Sequence, residues 1–258
     1  MGSILAHNLV DEGTFKAKQI TVLKKSDQNE IAEFNYIKSI SDLPKNYQAD
    51  LVFIAIKPQD ALAILPNFSE QKIFHKNTIF ISILAGKKIK FLQDIFGKDA
   101  KIVRSMPNLP IQYSQGIFPY LCNKNITKLE AENLKNIFDK FGSAFAIKNE
   151  NLFDAATAIF GSGPAYIFLL QEIFAEIAVS LGIKKNDASK LVSKLFLGSA
   201  LMSEFSPEDF SELRQSVTSK NGTTDAALKI LQKDSALKNI FSQAINAAIQ
   251  KSQDLSGN

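Results

Sequence analysis

The chain has 258 residues and a formal net charge of +4, with 45% hydrophobic and 22% charged residues. These values are typical of a soluble globular protein of about two domains, and they exclude intrinsic disorder. The lysines are scattered along the sequence, so we expect no binding of nucleic acid. Cys122 is the only cysteine and the sequence has two histidines, so we expect neither a disulfide framework nor a metal site.

Membrane insertion and secretion are not expected from the sequence. No uninterrupted apolar run reaches the roughly 18 residues that a membrane-spanning helix needs, and the N-terminus lacks the basic-then-apolar order of a signal peptide. We therefore predict a cytoplasmic protein with no membrane partner.

The first predicted element is a helix over residues 1–10. A doubly wound dinucleotide-binding fold normally opens with a strand and a glycine-rich turn that leads into such a helix. Neither precedes this helix. That first strand would lie at the centre of the sheet, so its absence would destabilise the fold more than the loss of an edge strand.

Residues 20–148 alternate between short β-rich runs and helical stretches, which predicts a doubly wound α/β domain. The run at 51–57 is almost continuously apolar, as in a parallel strand that is covered on both faces. The predicted strands are 20–24, 51–57, 78–84, 101–106, 116–121 and 144–148, and the predicted helices between them are 58–66, 87–96 and 127–141.

The strand pattern stops after residue 150, and the remainder is predicted to be entirely helical. The predicted helices are 151–159, 164–182, 186–204, 207–216, 223–232 and 235–254. We therefore expect two domains, 1–148 and 149–258. The last helix carries more apolar residues at helical spacing than a small bundle can bury, including Ile240, Phe241 and Ile245, which indicates a partner subunit.

Several loops have the composition of ligand-binding loops. In open α/β folds, ligands bind outside the carboxyl ends of the strands, and three loops follow predicted strands there. A fourth loop, 216–224, is rich in hydroxyl groups and leads into a helix, so its free N–H groups could bind a carboxylate or phosphate. A helix cap is the alternative, although a cap needs one hydroxyl. Asn108, between two prolines, either binds a ligand or bonds only neighbouring backbone.

The segment Phe160-Gly161-Ser162-Gly163-Pro164-Ala165-Tyr166 is predicted to begin a helix, because proline is favoured in a first helical turn. The chain contains no Gly-x-Ser-x-Gly elbow and no phosphate-binding loop that ends in Gly-Lys-Ser or Gly-Lys-Thr. Hydride chemistry is therefore favoured over hydrolysis or phosphoryl transfer, since a nicotinamide supplies its own reactivity.

Six segments occur in a distinctive order: Met-Gly at the start, AIKP at 55–58, LAG at 84–86, RSMPN at 104–108, FGSGPAY at 160–166 and SVTSKNGTT at 216–224. In this order they resemble the pyrroline-5-carboxylate reductase family, over almost the whole chain. The resemblance implies a Rossmann-like domain that binds NADPH or NADH, followed by an all-helical domain that forms a homodimer, and in some members an oligomer of dimers. It implies reduction of 1-pyrroline-5-carboxylate to L-proline.

The resemblance also implies roles for individual residues. It places Glu150, Ser219, Gly222, Thr223 and Thr224 at the substrate: the backbone amides of the two threonines would bind the carboxylate, the Thr224 hydroxyl would reach the ring nitrogen and Glu150 would lie near that nitrogen. The implied cofactor residues are Gly2, Ser3, Lys24, Ala55, Ile56, Lys57, Pro58, Leu84, Ala85, Gly86, Met106, Pro107 and Asn108. Lys24, Lys25 or Ser26 could contact a 2′-phosphate.

Two features depart from the family pattern. Ser219-Lys220-Asn221-Gly222 replaces the usual Ser-Pro-Gly-Gly, and Asn221 can adopt the left-handed conformation at modest cost. Met1 falls on the methionine inside the family's glycine-rich loop, so about ten residues that hold the first strand would be missing by comparison with the family pattern.

Three hypotheses follow from these features. The first is a working reductase whose true chain starts upstream, and the second is an inactive helical dimer that binds dinucleotide weakly. The third is a 3-hydroxyacid type of dehydrogenase. That class usually has a lysine on the helix at the domain junction, and residues 151–182 contain none, which argues against it.

Overall fold

The computed structural model describes residues 1–24, 34–70 and 73–256. They form two compact units: the first comprises Met1–Ser162 and the segment that starts at Ala248, and the second is Gly163–Ala247. The first unit extends to Ser162 through local packing, since Phe153 and Ala156 join a small core with Ile147, and Ser252 donates a hydrogen bond to Asp154 over 2.6 Å. The domain boundary between residues 148 and 149 stays a prediction.

The secondary structure alternates in the first unit and is helical in the second. The strands are β1 Thr21–Leu23, β2 Asn35–Ile37, β3 Ala49–Ile54, β4 Phe74–Ser82, β5 Lys101–Ser105, β6 Gly116–Cys122 and β7 Gly142–Ala146. The α-helices are α1 Gly2–Asp11, α2 Ala61–Ser69, α3 Ile89–Phe96, α4 Lys128–Asp139, α5 Phe153–Ala156, α6 Gly163–Ser180, α7 Lys185–Phe205, α8 Phe210–Ser216, α9 Thr223–Leu231 and α10 Ala236–Ser256.

The main sheet has the strand order β3-β4-β5-β6-β7. β3, β4 and β5 are parallel to one another, β6 runs antiparallel to β5, and β7 is parallel to β6. β1 and β2 form a separate parallel pair. In the part of the chain that the structure describes, no pairing joins β1 or β2 to the main sheet.

One face of the main sheet carries α1 and α4. The core on this side contains Leu5 and Leu9 of α1, Leu134 and Phe138 of α4, and alternate residues of the strands such as Ile81. α1 is held there because its buried positions recur at helical spacing, so one stripe of the helix can pack against the sheet.

The opposite face of the sheet carries α2 and α3. Its core includes Ala61 and Leu65 of α2, Leu92 of α3, and Phe80 and Ile102 of the strands. Phe80 and Ile81 are consecutive and lie in different cores, as side chains on opposite faces of a strand must. Both faces are covered, and the predicted doubly wound domain is therefore confirmed.

The structure differs from the predicted elements in three places. β2 was not predicted, since three residues with one exposed asparagine give too short a pattern. β4 begins at Phe74 rather than at 78. The sequence pattern predicts the later start because residues 75–78 are polar and only the second half of the strand is buried. The predicted helix 151–159 is a 3₁₀ turn at Glu150–Leu152, then α5, then a π-helical turn over Thr157–Gly161.

The helices of the second unit leave large apolar side chains exposed. No residue of α6 is buried, and in α7 only Ala188 and Val192 are. The exposed apolar residues of these two helices include Phe168, Leu169, Phe174, Ile177, Leu191, Leu195 and Met202. An exposed apolar surface of this extent is typical of an interaction site, in agreement with the predicted partner subunit.

One helical stretch, Glu150–Ser180, is long and apolar enough to cross a membrane by length and composition, with a mean hydropathy of 1.3 in its most apolar window. The sequence prediction found no such stretch, because it considered only uninterrupted apolar runs and this segment contains charged residues. A single helix of this kind is weak evidence for a membrane span.

Phe138 offers a direct test of the core between α4 and the sheet. Its ring is fully buried and stacks on Phe118, with 4.3 Å between the ring centroids. We expect Phe138→Ala to lower the free energy of unfolding by about 3–5 kcal/mol, since it leaves a cavity. The measurement is chemical denaturation. The exposed Leu129 on the same helix is the control: if Leu129→Ala costs as much as Phe138→Ala, the packing described for this helix is wrong.

Glu130 of α4 provides a pH-dependent contribution to stability. Burial raises the pKa of its carboxyl, but hydrogen bonds from Lys101 and from the backbone and hydroxyl of Thr127 outweigh burial, so the pKa lies below its ordinary value. A depressed pKa in the folded state stabilises the fold above the unfolded-state pKa, and this contribution is lost as the pH falls through the folded-state value.

We therefore expect Glu130→Gln to lower stability by about 1 kcal/mol at neutral pH. The difference from wild type should shrink as the pH falls below about 4.3, the ordinary glutamate pKa. Thermal denaturation at several pH values measures it. Glu132→Gln is the control, because the Lys128–Glu132 pair is exposed and 4.0 Å apart. A Glu130→Gln effect that is constant with pH would contradict this assignment.

Candidate functional site

Three loops predicted to bind a ligand lie at one edge of the main sheet. β3, β4 and β5 are neighbouring parallel strands that end at Ile54, Ser82 and Ser105. Residues 55–58, 84–86 and 106–108 follow these ends directly. The carboxyl edge of parallel strands is where open α/β folds bind their ligands, so the sheet brings the three segments to a single candidate site.

The start of α1 meets the first of these loops. A Cβ atom on Gly2 would come within 2.9 Å of the Ala55 side chain, so this contact requires glycine. The structure thus brings together Gly2 and Ala55, both predicted from the resemblance. No side chain caps the start of α1, and its first turn has no acidic residue. A helix start of this kind can receive an anion.

The rest of the first loop is accessible. Ala55 and Lys57 are exposed, and Ile56 is half-buried. Lys57 precedes a 3₁₀ turn over Pro58–Asp60 that begins with its proline, a residue favoured at the first helical position. Ser3, on α1, is exposed as well.

The second loop presents backbone rather than side chains. Leu84 is buried in the core with Leu92 and Ile102, so its side chain is turned away from any ligand. Gly86 has φ of 73°, and an added Cβ would collide with the backbone of Leu255 at 2.8 Å. Glycine is therefore required here by both conformation and space.

A buried arginine joins this edge of the sheet to Glu150. Arg104 of β5 donates from Nη1 to Glu150 Oε1 over 2.9 Å, and its guanidinium lies 4.2 Å from the centre of the Phe153 ring. The same Oε1 accepts the backbone N–H of Ile89, the first residue of α3, over 2.9 Å. One carboxylate oxygen thus connects β5, the start of α3 and the turn before α5.

Arg104 was not predicted as a site residue. An arginine directly after Ile102 and Val103 in a predicted strand was a usable signal, because a buried arginine nearly always has a charged partner. The sequence offered no indication that its partner is Glu150.

The third loop packs against the π-helical turn. Asn108 accepts the backbone N–H of Ile117 at 2.8 Å through Oδ1 and donates from Nδ2 to the carbonyl of Phe160 at 3.1 Å. Met106 lies 3.6 Å from the position of a Cβ on Gly161. The side-chain amide of Asn108 thus bonds the backbone of Ile117 and of Phe160, which lies 52 positions away, and its contact with a ligand stays a prediction.

Pro107, between Met106 and Asn108, is buried. α6 begins at Gly163 with Pro164 in its first turn, which confirms the predicted helix start. The π-helical turn at Thr157–Gly161 directly precedes it. Such turns are frequent at functional sites.

The second unit holds the other predicted group, at the start of α9. Asn221 has φ of 59°, which confirms the expectation that it adopts the left-handed conformation. Gly222 donates its N–H to the carbonyl of Ser219 over 2.9 Å, and an added Cβ would collide with the Ser219 side chain. This tight turn places four residues together at the N-terminal end of α9: Ser219, Gly222, Thr223 and Thr224.

The start of α9 has free backbone donors. Gly222 is its N-cap and supplies no side-chain oxygen, so no side chain caps the helix. Thr224 is half-buried and Thr223 is exposed. Asp225 of the same turn accepts the N–H of Asn221 and pairs with Lys229 at 2.8 Å. The two threonine amides therefore lie where a carboxylate is favoured.

Lys24 lies at the end of β1, with its ammonium 4.6 Å from the centre of the Tyr36 ring. Its contact with a 2′-phosphate stays a prediction, and Lys25 and Ser26 lie outside the described residues. Burial raises the pKa of the Cys122 thiol to about 11, which makes it a poor nucleophile. In the described ranges, no three His, Cys, Asp or Glu side chains are placed to hold a metal ion.

Comparison with known proteins agrees with this architecture. Residues 1–86 match the family model described as NADP oxidoreductase, coenzyme F420-dependent, and residues 150–255 match the model of pyrroline-5-carboxylate reductase dimerisation. These matches define the class of the protein: an oxidoreductase with a Rossmann-like domain followed by a helical dimerisation domain.

Individual relatives narrow the class to one family. The pyrroline-5-carboxylate reductase of Pseudomonas aeruginosa is 34% identical over 80% of this chain and 75% of its own length. That of Staphylococcus haemolyticus is 28% identical over 100% of this chain and 95% of its own. The crystal structure of the Plasmodium falciparum enzyme with NADP bound has a TM-score of 0.87 and 30% identity, over 99% of this chain and 94% of the other. The chain belongs to the pyrroline-5-carboxylate reductase family, which confirms the resemblance.

Asn108 is predicted to hold the third loop against the π-helical turn. Asn108→Ala leaves the N–H of Ile117 and the carbonyl of Phe160 without this partner, and Asn108 is only 6% exposed. We expect a loss of about 1–3 kcal/mol in the free energy of unfolding. Chemical denaturation measures it, with the exposed Asn151→Ala as control. Equal stability of the two variants would contradict a structural role for the amide.

Proposed function

We propose that this chain reduces 1-pyrroline-5-carboxylate to L-proline with NADPH or NADH, the last step of proline biosynthesis. The observation that carries the proposal is the convergence of the family's motifs on two structured sites. Three of them follow β3, β4 and β5 at one edge of the sheet, and the paired threonines begin α9. Membership of the family supports the same reaction.

The proposed dinucleotide site fits its ligand at the start of α1, which has backbone donors for a phosphate. Gly2 and Gly86 allow Ala55 and the backbone of Leu255 to pack closely at this edge. The residues that would hold the cofactor are Gly2, Ser3, Lys24, Ala55, Ile56, Lys57, Pro58, Leu84, Ala85, Gly86, Met106, Pro107 and Asn108. When bound, NAD(P)H supplies the hydride that reduces the imine carbon.

The proposed substrate site is the start of α9. The backbone amides of Thr223 and Thr224 would bind the substrate carboxylate, because both lie in the first turn of a helix without a side-chain cap. The Thr224 hydroxyl would hydrogen-bond the ring nitrogen and so orient the imine. Ser219 and Gly222 shape this turn. The family resemblance also places Glu150 near the ring nitrogen.

The reaction adds a hydride to carbon and requires a proton on nitrogen. A ring nitrogen that is protonated in solution already carries that proton, so no strong acid is required of the protein. The role of the chain is then to orient two ligands and to exclude water, which accounts for a site built largely from backbone and small side chains.

A homodimer is part of this proposal. The apolar side chains that α6 and α7 expose in the single chain would be buried against a second copy of the chain. Residues 150–255 match a dimerisation domain, in agreement with this. We propose further that dimers can associate into larger oligomers. The protein would act in the cytoplasm, without a membrane or nucleic-acid partner, as a biosynthetic enzyme with a small-molecule substrate.

The activity is tested by the oxidation of NADPH, followed by absorbance, with and without 1-pyrroline-5-carboxylate. We expect consumption of NADPH that depends on the substrate, with L-proline as product. An absence of consumption by the purified dimer would contradict the proposal and favour an inactive family member.

The role of Thr224 predicts a matched pair of variants. We expect Thr224→Ala to lower kcat/KM about tenfold or more, since a buried polar partner loses a hydrogen bond of about 1–3 kcal/mol. Thr224→Ser keeps the hydroxyl and should retain most of the activity. Steady-state kinetics with varied substrate measures both. Unchanged kinetics in Thr224→Ala would exclude this role for the hydroxyl.

A further inference from the structure

We infer that Arg104 and Glu150 are a positioning pair for the dinucleotide site, with Glu150 acting through the loops rather than on the substrate. The inference rests on the proposed function, which supplies the ligand. It differs from the role that the family resemblance implies for Glu150, which placed this carboxylate at the ring nitrogen.

The first observation is what one oxygen of Glu150 binds. Oε1 accepts both the Arg104 guanidinium and the N–H of Ile89, each at 2.9 Å. Ile89 begins α3, two residues after the turn that contains Gly86. Arg104 lies directly before Ser105 and the loop 106–108. Glu150 therefore links the two segments that follow β4 and β5.

The second observation is the setting of the arginine. Its side chain is 3% exposed and packs over the Phe153 ring, and Nε is buried without a hydrogen-bond partner among the described residues. A buried guanidinium with an unsatisfied nitrogen carries a desolvation cost. Stabilisation of the fold alone is thus a poor explanation for the Arg104–Glu150 pair.

The third observation is the charge at the start of α3. No side chain of the helix's own N-cap residue, Lys88, bonds its first turn, and the first turn has no acidic residue. Glu150 supplies the missing carboxylate from 61 positions away in sequence. A negative charge at a helix start is favourable, so the helix is anchored by the same group that holds Arg104.

These contacts fix the spacing between loops 84–86 and 106–108. Both loops would lie along the dinucleotide, so a change in that spacing should weaken binding of NADPH before it alters contacts with the substrate. Both hydrogen bonds are accepted by Oε1, so this oxygen is committed to the two segments that follow β4 and β5.

The test compares Glu150→Gln with the double variant Arg104→Met/Glu150→Gln. Glu150→Gln leaves a buried arginine without its counter-charge and should lose stability. The double variant removes both charges and should recover much of that stability. We expect both variants to raise the Kd for NADPH about tenfold, an effect transmitted through the packed loops because neither variant keeps the charged contact between them, with the substrate KM and the pH profile unchanged.

Fluorescence titration with NADPH, thermal denaturation and steady-state kinetics provide the three measurements. Glu130→Gln is the matched control, because Glu130 pairs with Lys101 at the opposite end of the same strand, 2.5 Å apart. That variant should lower stability and leave the Kd for NADPH unchanged.

Two results would overturn the inference. A double variant that binds NADPH as wild type does would show that the pair only stabilises the fold. A raised substrate KM or a shifted pH profile in Glu150→Gln, with normal NADPH binding, would show that Glu150 is a substrate ligand. If the wild-type chain itself fails to bind NADPH, the proposed function fails, and this inference fails with it.

Discussion

The contact that most of the site depends on is the one between Glu150 and its two donors. Without it, the loops after β4 and β5 are connected to the segment before α5 only through packing, and the charge of Arg104 is buried without compensation. The strand that carries Arg104 lies in the middle of the main sheet. A change at Glu150 is therefore transmitted to rigid elements, since a strand that is paired on both sides has little freedom to adjust.

The contacts around the third loop, residues 106–108, likewise connect it to a segment that is distant in sequence, the motif at 160–166. Asn108 bonds the carbonyl of Phe160, and Met106 packs near Gly161, so the loop is held against the π-helical turn. A Cβ at 161 would lie in ordinary van der Waals contact with Met106, at 3.6 Å, so the approach does not itself require glycine. The motif that identifies the family in sequence thus has a structural use within the first unit.

Much of the architecture follows from sequence because it depends on local periodicity. The apolar runs of β3 and β5 and the helical spacing in α3 and α4 are each determined within a few residues. The Asn221 turn was also predictable, since few other residues tolerate its conformation. The carboxyl edge of the sheet then follows from topology, which explains why three loops were correctly expected to lie near one another.

The remaining features depend on pairings between distant residues. The partners of Glu150 lie 46 and 61 positions away, and nothing in its neighbourhood in sequence indicates them. The separation of β1 and β2 from the main sheet is set by strand pairing as well. The extension of the first unit to Ser162 reflects the packing of Phe153 and the bond between Asp154 and Ser252.

The most direct test of this account is a crystal structure of the protein with NADP bound. The account predicts that the dinucleotide lies along residues 55–58, 84–86 and 106–108, and that Glu150 still binds Arg104 and the N–H of Ile89. A dinucleotide bound elsewhere, or a Glu150 carboxylate turned away from these donors toward the nicotinamide side of the ligand, would contradict it.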